Sequence, residues 1–189
     1  MKRDRHGQAE PLTPETYRRI REVFLEESHK LVWDILWFTG ERVGAVLQLP
    51  VDDVYSDATR KITQPEITFK ASTRKDKTTR QVPLHTDLRS RLKAYDPPSS
   101  GYLFPGRGEK GHLTHQAYDA AFRRALARCG LDGFGYSLHS PRRGFITRLH
   151  TKGMGIKVIQ SLTGHQSLAV LSRYIEVSDE MRREAINLI

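Results

Sequence analysis

The spacing of the apolar residues changes twice along the chain, and this change constrains the fold more than any other feature of the sequence. Helical spacing predicts helices over residues 14–27 and 29–39 and a short helix over 43–47. Between Lys61 and Leu84 the residues alternate and are rich in β-branched side chains, which predicts a small antiparallel sheet. Helical spacing then returns, over 86–95, 114–129, 155–163, 167–174 and 178–188. We therefore predict an α+β fold that is mostly helical and carries one small antiparallel β-sheet or hairpin.

A further helix is predicted to begin at Ser140, which can act as its N-cap with Pro141 at the first helical position. His139 and Arg142 then lie at a helix N-terminus. Free backbone N–H groups and the positive end of the helix dipole make such a terminus a favourable place to hold a phosphate group. The connection between the predicted strands, residues 72–79, is polar and basic, and we expect it to be an exposed hairpin.

These elements predict a single domain. A chain of 189 residues is long enough to bury a core without disulfides, and a capping signal at Thr13 indicates that the fold begins there. We expect residues 1–11 to be a basic leader or a linker remnant. Residues 12–189 form the predicted domain, which includes a C-terminal tail over 178–189.

The composition indicates a cytoplasmic protein. Cys129 is the single cysteine, so neither an internal disulfide nor a cysteine cluster at metal-binding spacing is available. The first ten residues are charged and polar, unlike a signal peptide, and no apolar run approaches the roughly 20 residues of a membrane span.

The chain is strongly basic. It contains 31 Lys and Arg against 22 Asp and Glu, which gives a net charge of +9 and an isoelectric point near 9.8. Such a balance is typical of proteins that bind a polyanion such as nucleic acid, although excess positive charge also serves solubility. Charge alone leaves both interpretations open and says nothing of chemistry.

Several short motifs supply the groups that cutting a DNA strand without a metal requires: a nucleophile, cations for the charge on the phosphate, and an acid for the leaving oxygen. They are Thr39-Gly40-Glu41-Arg42, Lys75 seven residues before Val82-Pro83-Leu84, His139-Ser140-Pro141-Arg142, and Leu162-Thr163-Gly164-His165 followed by Tyr174. A lone His-x-x-Arg, Gly-His or tyrosine is weak evidence. Together, in this order and spacing, they resemble the tyrosine recombinase (phage integrase) family, and the resemblance covers residues 12–189.

The resemblance implies the catalytic fold and the chemistry of that family. The predicted catalytic residues are Arg42, Lys75, His139, Arg142, His165 and Tyr174. Tyr174 is the implied nucleophile, which forms a 3′-phosphotyrosyl link to DNA. The two arginines stabilise charge on the phosphate, because each can donate in a fork where a lysine cannot, and Lys75 is the general acid. The two histidines assist, and neither a metal nor a cofactor is expected.

Three positions depart from the family's pattern or leave a choice open. The acidic residue usual three positions after the first arginine is Ala45 here, so support for Arg42 has to come from elsewhere. Arg143 replaces a helper histidine of the family. Lys77 rivals Lys75 as the general acid, because the hairpin is crowded with basic residues, and the spacing to the Val-Pro-Leu strand favours Lys75.

The implied partner is double-stranded DNA, bound by a tetramer on paired sites, with a monomer possible without DNA and an association with the nucleoid. Most members of the family carry an additional N-terminal DNA-binding domain, for which this chain has no room. The chain is either a piece of a longer protein or similar to the short, single-domain members that resemble the fimbrial-switch invertases. Two other functions compete with recombination: DNA relaxation of the type IB topoisomerase kind, and DNA binding by a catalytically silent regulator.

Overall fold

The structure is a computed structural model of the chain, and it describes residues 9–74, 76–172 and 179–187. The helices within these ranges are α1 (Pro14–Glu22), α2 (Glu27–Thr39), α3 (Val43–Leu47), α4 (Thr86–Ala94), α5 (His115–Arg128), α6 (Ser140–Thr151), α7 (Ile156–Thr163), α8 (Leu168–Ser172) and α9 (Asp179–Ile186). The strands are β1 (Tyr55–Asp57), β2 (Ile62–Thr63), β3 (Glu66–Phe69) and β4 (Arg80–Pro83). The mostly helical α+β fold is thus confirmed. None of the described helices is long and apolar enough to cross a membrane.

The strands form two small antiparallel pairs where the sequence predicted one sheet. β1 pairs with β2, and β3 pairs with β4 in a register that places Phe69 opposite Arg80. Alternate residues of the second pair are buried, including Ile67, Phe69 and Val82, because one face of the pair lies on the core. The connection between β3 and β4, residues 70–79, is called the hairpin loop below. It includes a short 3₁₀ turn, Ala71–Thr73.

Two predicted helix ends are wrong. The first helix ends at Glu22 rather than at residue 27, because Phe24 turns into the core and the carbonyl of Val23 accepts a hydrogen bond from Arg128 instead of continuing the helix. Ser140 is not the N-cap of α6. That position belongs to His139, and Ser140 lies in the first turn, where its hydroxyl accepts the backbone N–H of Ser137.

The main hydrophobic core joins α2, α3 and α5 to the strands, and a smaller cluster of Ile146, Ile159 and Leu171 joins α6, α7 and α8. α6 packs across α2, where the guanidinium of Arg148 lies 3.2 Å from the centre of the Trp37 ring and also donates to the Trp37 carbonyl. This crossing brings the N-terminus of α6 against the C-terminus of α2.

The segment before α1 also packs on α6. Ala9 is buried, and the backbone N–H of Leu12 donates to the Ser140 carbonyl. Gly144 permits this approach, because a Cβ atom there would lie 2.5 Å from the Leu12 carbonyl oxygen. Residues 9–12 therefore lie against the helix that carries Arg142.

Two helices end in a glycine with left-handed backbone. Gly40 follows α2 with a φ of 61°, and Gly164 follows α7 with a φ of 66°. In both, the N–H of the glycine donates to the carbonyl four residues earlier, which closes the last turn. Gly40 is also crowded, since a Cβ atom there would lie 2.5 Å from the ring of Phe145 on α6.

Replacing Gly40 by alanine is expected to destabilise the protein by about 2–5 kcal/mol. Left-handed backbone costs an alanine about 1–2 kcal/mol, and overpacking against Phe145 adds about 1–3 kcal/mol. Gly153→Ala is the matched control, because Gly153 has a φ of 76° and open space around its Cα. Denaturant unfolding measures both variants, and equal losses of stability would show that the contact with Phe145 contributes nothing.

Candidate active site

Arg142 lies at the centre of the site with only 2% of its surface exposed. Its Nη1 donates to the carbonyl of Gly40 at 2.9 Å, and its Nη2 donates to the carbonyl of Thr163 at 2.8 Å. Both acceptors are carbonyls at helix C-termini, of α2 and α7. Because the C-terminal end of a helix carries partial negative charge, two such ends offset much of the positive charge that Arg142 brings into the interior.

The two helix ends are built alike from the Thr-Gly pairs that the sequence motifs contain. The hydroxyl of Thr39 donates to the Ile35 carbonyl at 2.6 Å, and the hydroxyl of Thr163 donates to the Ile159 carbonyl at 2.7 Å. Each threonine oxygen also forms a hydrogen bond with the residue two positions later in the chain. The Thr39 oxygen accepts the backbone N–H of Glu41, and the Thr163 oxygen pairs with the ring of His165. The following glycine turns the chain toward Arg142.

His165 is 9% exposed and is fixed by Thr163. Its Nδ1 lies 2.7 Å from the Thr163 hydroxyl, which already donates to Ile159, so the ring nitrogen is the donor and Nε2 keeps the lone pair. Nη2 of Arg142 lies 3.3 Å from Nε2. Burial, together with the charges of Arg142, Arg42 and His139, lowers the pKa of His165 to about 4. The imidazole is therefore neutral at pH 7.

Arg42 follows Glu41 into the site as the N-cap of α3, and its side chain remains 30% exposed. Its Nη1 donates to Oδ2 of Asp76 at 3.0 Å, and the same oxygen accepts Nη2 of Arg74 at 2.7 Å. Burial alone would raise the pKa of Asp76, but the hydrogen bond from Arg42 and the charge of Arg74 lower it below its usual value. An ionised carboxylate of the hairpin loop thus holds Arg42.

Glu41 is the carboxylate beneath the site, and its side chain is fully buried. One oxygen accepts the backbone N–H of Arg42 at 2.7 Å and lies 3.9 Å from Nη1 of Arg142. The other is paired with Arg80 and lies 3.6 Å from Nε of Arg74. The acidic support that Ala45 cannot give is therefore supplied by Glu41 and Asp76.

Four of the six predicted site residues, Arg42, His139, Arg142 and His165, lie in the part of the chain that the structure describes. Arg42, Arg142 and His165 come together, and the charge of His139, an exposed residue at the N-cap of α6, acts on His165. Lys75 and Tyr174 lie outside the described residues. α8 ends at Ser172, and the chain neighbours of Lys75, Arg74 and Asp76, both belong to the cluster around Arg42.

The structure also describes Lys77, the rival of Lys75, and Arg143, the replacement for the helper histidine. Lys77 is exposed and adopts left-handed backbone with a φ of 53°, next to Asp76 in the hairpin loop. Arg143, which replaces the helper histidine, donates to the carbonyl of Ala9 at 2.6 Å and so contacts the segment before α1.

Sequence reasoning missed four members of the site: Glu41, Arg74, Asp76 and Arg80. Arg74 and Arg80 are 3% and 8% exposed, so they belong to the interior rather than to a solvated basic loop. The alternating pattern of β4 was a usable signal for Arg80, because the residue two positions on, Val82, faces the core. No comparable sequence pattern identified Glu41, although Ala45 at the family's usual acidic position implied that another acidic residue supports Arg42.

The described part of the site holds four arginines against two carboxylates. This imbalance, with a neutral histidine beside it, suits the binding of a phosphate-like oxyanion, since guanidinium groups donate in forks that match its oxygens. Among the described residues, no group of three His, Cys, Asp or Glu side chains is arranged to hold a metal ion.

A model of the phage integrase family matches residues 10–181 of the chain. The chain belongs to the phage integrase family. A tyrosine recombinase of Pseudothermotoga lettingae is 30% identical over 182 residues, which cover 93% of this chain and 59% of the relative. The tyrosine recombinase XerD of Brucella suis biovar 1 is 26% identical over 162 residues, which cover 82% of this chain and 50% of XerD. The chain thus spans only between half and three fifths of these relatives.

Solved structures of recombinases share the fold. The XerA recombinase superimposes with a TM-score of 0.73 at 21% identity, over 96% of this chain and 66% of XerA. The XerH site-specific recombinase, in a structure with its difH substrate, gives a TM-score of 0.71 at 21% identity, over 96% of this chain and 55% of XerH. The similarity extends over nearly all of this chain.

The ring of His165 is expected to titrate near pH 4 in the DNA-free protein, well below the usual 6.5. Between these values the unfolded chain binds a proton that the folded protein does not. The stability that the neutral ring confers is therefore complete above pH 6.5 and falls as the pH drops toward 4. NMR titration of the histidine rings measures the midpoint, with His165→Asn to assign the signal. A midpoint near 6.5 would contradict the described burial.

Proposed function

We propose that the chain is the catalytic domain of a site-specific tyrosine recombinase, which breaks and rejoins double-stranded DNA through a 3′-phosphotyrosyl intermediate. The observation that carries this proposal is the convergence of Arg42, Arg142 and His165, from three separate motifs, around Glu41 in one cluster with excess positive charge, in which Arg142 and His165 are buried. The names of the curated relatives support recombination over DNA relaxation or silent binding.

Arg42 and Arg142 are proposed to hold the non-bridging oxygens of the scissile phosphate. The phenolic oxygen of Tyr174 attacks phosphorus, the new oxygen–phosphorus bond forms, and the bond to the 5′-oxygen breaks. Charge on the phosphate oxygens grows in this transition state, so donors fixed in advance lower the barrier. Rejoining is the reverse step, in which a 5′-hydroxyl attacks the phosphotyrosine and releases Tyr174.

Lys75 is proposed as the general acid that protonates the departing 5′-oxygen. Its two chain neighbours, Arg74 and Asp76, both contact the cluster that includes Arg42, which supports a position near the phosphate. Lys77 is exposed on left-handed backbone, and its described bond to that cluster is made by the backbone N–H, which donates to the Arg74 carbonyl, rather than by the side-chain amine, which supports Lys75 over its rival. The assignment of Lys75 as the general acid still rests mainly on its spacing from the Val-Pro-Leu strand.

His165 is proposed to accept the phenolic proton of Tyr174 through Nε2. Its low pKa makes it a poor base in the free protein. A bound phosphate brings negative charge that opposes the surrounding arginines, so DNA binding raises this pKa and prepares the ring to take the proton. His139, the exposed N-cap residue of α6, is proposed to share the hydrogen bonding of the phosphate.

The proposed partner is double-stranded DNA, and the proposed assembly is a tetramer on paired sites, with the nucleoid as the place of action. Structures of relatives in complex with DNA, including XerH with difH and the Tn1549 integrase with circular intermediate DNA, support the partner. The net charge of +9 agrees with it, because phosphate neutralisation drives such binding.

Replacing Tyr174 by phenylalanine is expected to abolish covalent capture of DNA. The protein is incubated with a pool of singly nicked duplexes from genomic DNA around its gene, then denatured, and the protein–DNA band is quantified. Because phenylalanine lacks the attacking oxygen, the band falls by at least about 10³-fold, while DNA binding in the same tubes is retained.

Tyr102→Phe is the control for this experiment. Tyr102 is 38% exposed and packs edge-on against His112, and it makes no described contact with the cluster. This variant is expected to form the adduct like the wild type. A wild-type protein that binds the duplexes without forming any adduct would contradict the proposed function.

A further inference from the structure

The carboxylate of Glu41 joins two parts of the site that are distant in sequence. Oε1 faces the helical part, where it accepts the backbone N–H of Arg42 at 2.7 Å and lies 3.9 Å from Arg142. Oε2 faces the strand part, where it pairs with Arg80 on β4 and lies 3.6 Å from Arg74 in the hairpin loop. The two oxygens of one side chain thus contact different parts of the site.

A carboxylate in this position cannot be replaced by water. The side chains of Glu41, Arg74 and Arg80 are 0%, 1% and 7% exposed, so the charges of the two arginines are compensated by carboxylates, Glu41 for both and Asp76 also for Arg74, rather than by water. Among the described residues, Nε and Nη1 of both Arg74 and Arg80 have no hydrogen-bond partner. These two guanidiniums are already short of acceptors, and the removal of Glu41 would leave buried positive charge with still less compensation.

The consequence reaches the hairpin loop. Arg74 begins the sequence Arg74-Lys75-Asp76, and Asp76 at its other end holds Arg42 at 3.0 Å. Arg80 directly follows the hairpin loop as the first residue of β4. Glu41 therefore holds the hairpin loop through Arg74 and Arg80, while Asp76 connects it to Arg42.

We infer that Glu41 is a positioning residue, which fixes the hairpin loop, and with it the proposed general acid Lys75, relative to Arg42 and Arg142. This inference rests on the proposed function for its catalytic part. It assigns Glu41 no contact with DNA. Its effect is on geometry, and displacement of a reacting group by about 1 Å is enough to slow a reaction by about 10²-fold.

The test compares Glu41→Gln with a matched control, Asp34→Asn. Asp34 is also fully buried and also accepts from arginines, with Arg21 at 2.8 Å and Arg91 at 3.0 Å, but it lies outside the site. Both substitutions keep the shape of the side chain and remove one buried negative charge. Both variants are therefore expected to lose stability because a buried charge is removed. An effect on the hairpin loop or on cleavage is expected only in Glu41→Gln.

Two readouts are taken. Hydrogen–deuterium exchange without DNA reports on peptides that cover residues 70–79, and single-turnover adduct formation is measured at saturating DNA, on the nicked duplexes captured by the wild type. Glu41→Gln is expected to speed exchange of the hairpin loop by at least tenfold over Asp34→Asn and to slow adduct formation by about 10²-fold. The dissociation constant for DNA is expected to stay within about threefold of the wild type or to fall, because a negative charge has been removed.

Unchanged exchange of the hairpin loop in Glu41→Gln, or equal effects of the two substitutions, overturns the inference. A loss of DNA binding that parallels the loss of cleavage also overturns it. A wild type that forms no adduct contradicts the proposed function instead, and the exchange experiment still decides whether Glu41 anchors the loop. If Glu41→Gln does not fold, Glu41→Asp decides: it keeps the charge, shortens the reach, and is expected to slow adduct formation by about tenfold without weakening DNA binding.

Discussion

Arg142 keeps its positive charge inside the protein because two helices end against it. Each helix C-terminus carries roughly half a negative charge, so the ends of α2 and α7 together offset about one unit. The carbonyls of Gly40 and Thr163 are the atoms that accept from the guanidinium. Both helices must end at these residues and turn away, which explains why a left-handed glycine follows a threonine in each motif. The packing of α6 across α2 is also required, because it brings Arg142 to the C-terminal end of α2.

The rest of the site is organised by charge around this buried arginine. Glu41 and Asp76 fix three further arginines, yet they do not neutralise the cluster, and burial lowers the pKa of Arg80 to about 10 even with Glu41 beside it. A site in this state gains a counter-charge when an oxyanion binds. The proposed reaction uses this property, because the phosphate that supplies the counter-charge is also the group that reacts, and its arrival raises the pKa of His165.

The sequence predicted the parts of this arrangement that depend on local spacing. Helices and strands were recognised from periodicity, and Arg42, Arg142 and His165 from their motifs, because a cap or a Thr-Gly pair is a feature of a few neighbouring residues. The end of α1 was missed because it depends on Phe24 entering the core and on a bond from Arg128, which is remote in sequence. The predicted N-cap of α6 was wrong by one residue. Ser140 and His139 both precede Pro141, and only the backbone conformation shows which of them is the cap and which lies in the first turn.

The carboxylates and arginines beneath the site could not be predicted from the sequence for a related reason. The pair of Glu41 and Arg80 joins residues 39 positions apart, and that of Arg42 and Asp76 joins residues 34 apart. A single sequence shows a basic hairpin, and only the fold shows that two of its arginines are buried.

The rate of covalent adduct formation by Arg142→Lys, measured together with the stability of this variant, tests the role of the anchored guanidinium most directly. Lysine keeps the charge but cannot donate to the carbonyls of Gly40 and Thr163 and also hold a phosphate in a fork. We expect adduct formation to fall by at least about 10²-fold and the melting temperature to fall, while DNA binding stays within a few-fold of the wild type. Adduct formation within about tenfold of the wild type would show that charge alone suffices, and it would contradict the central role of the anchored guanidinium.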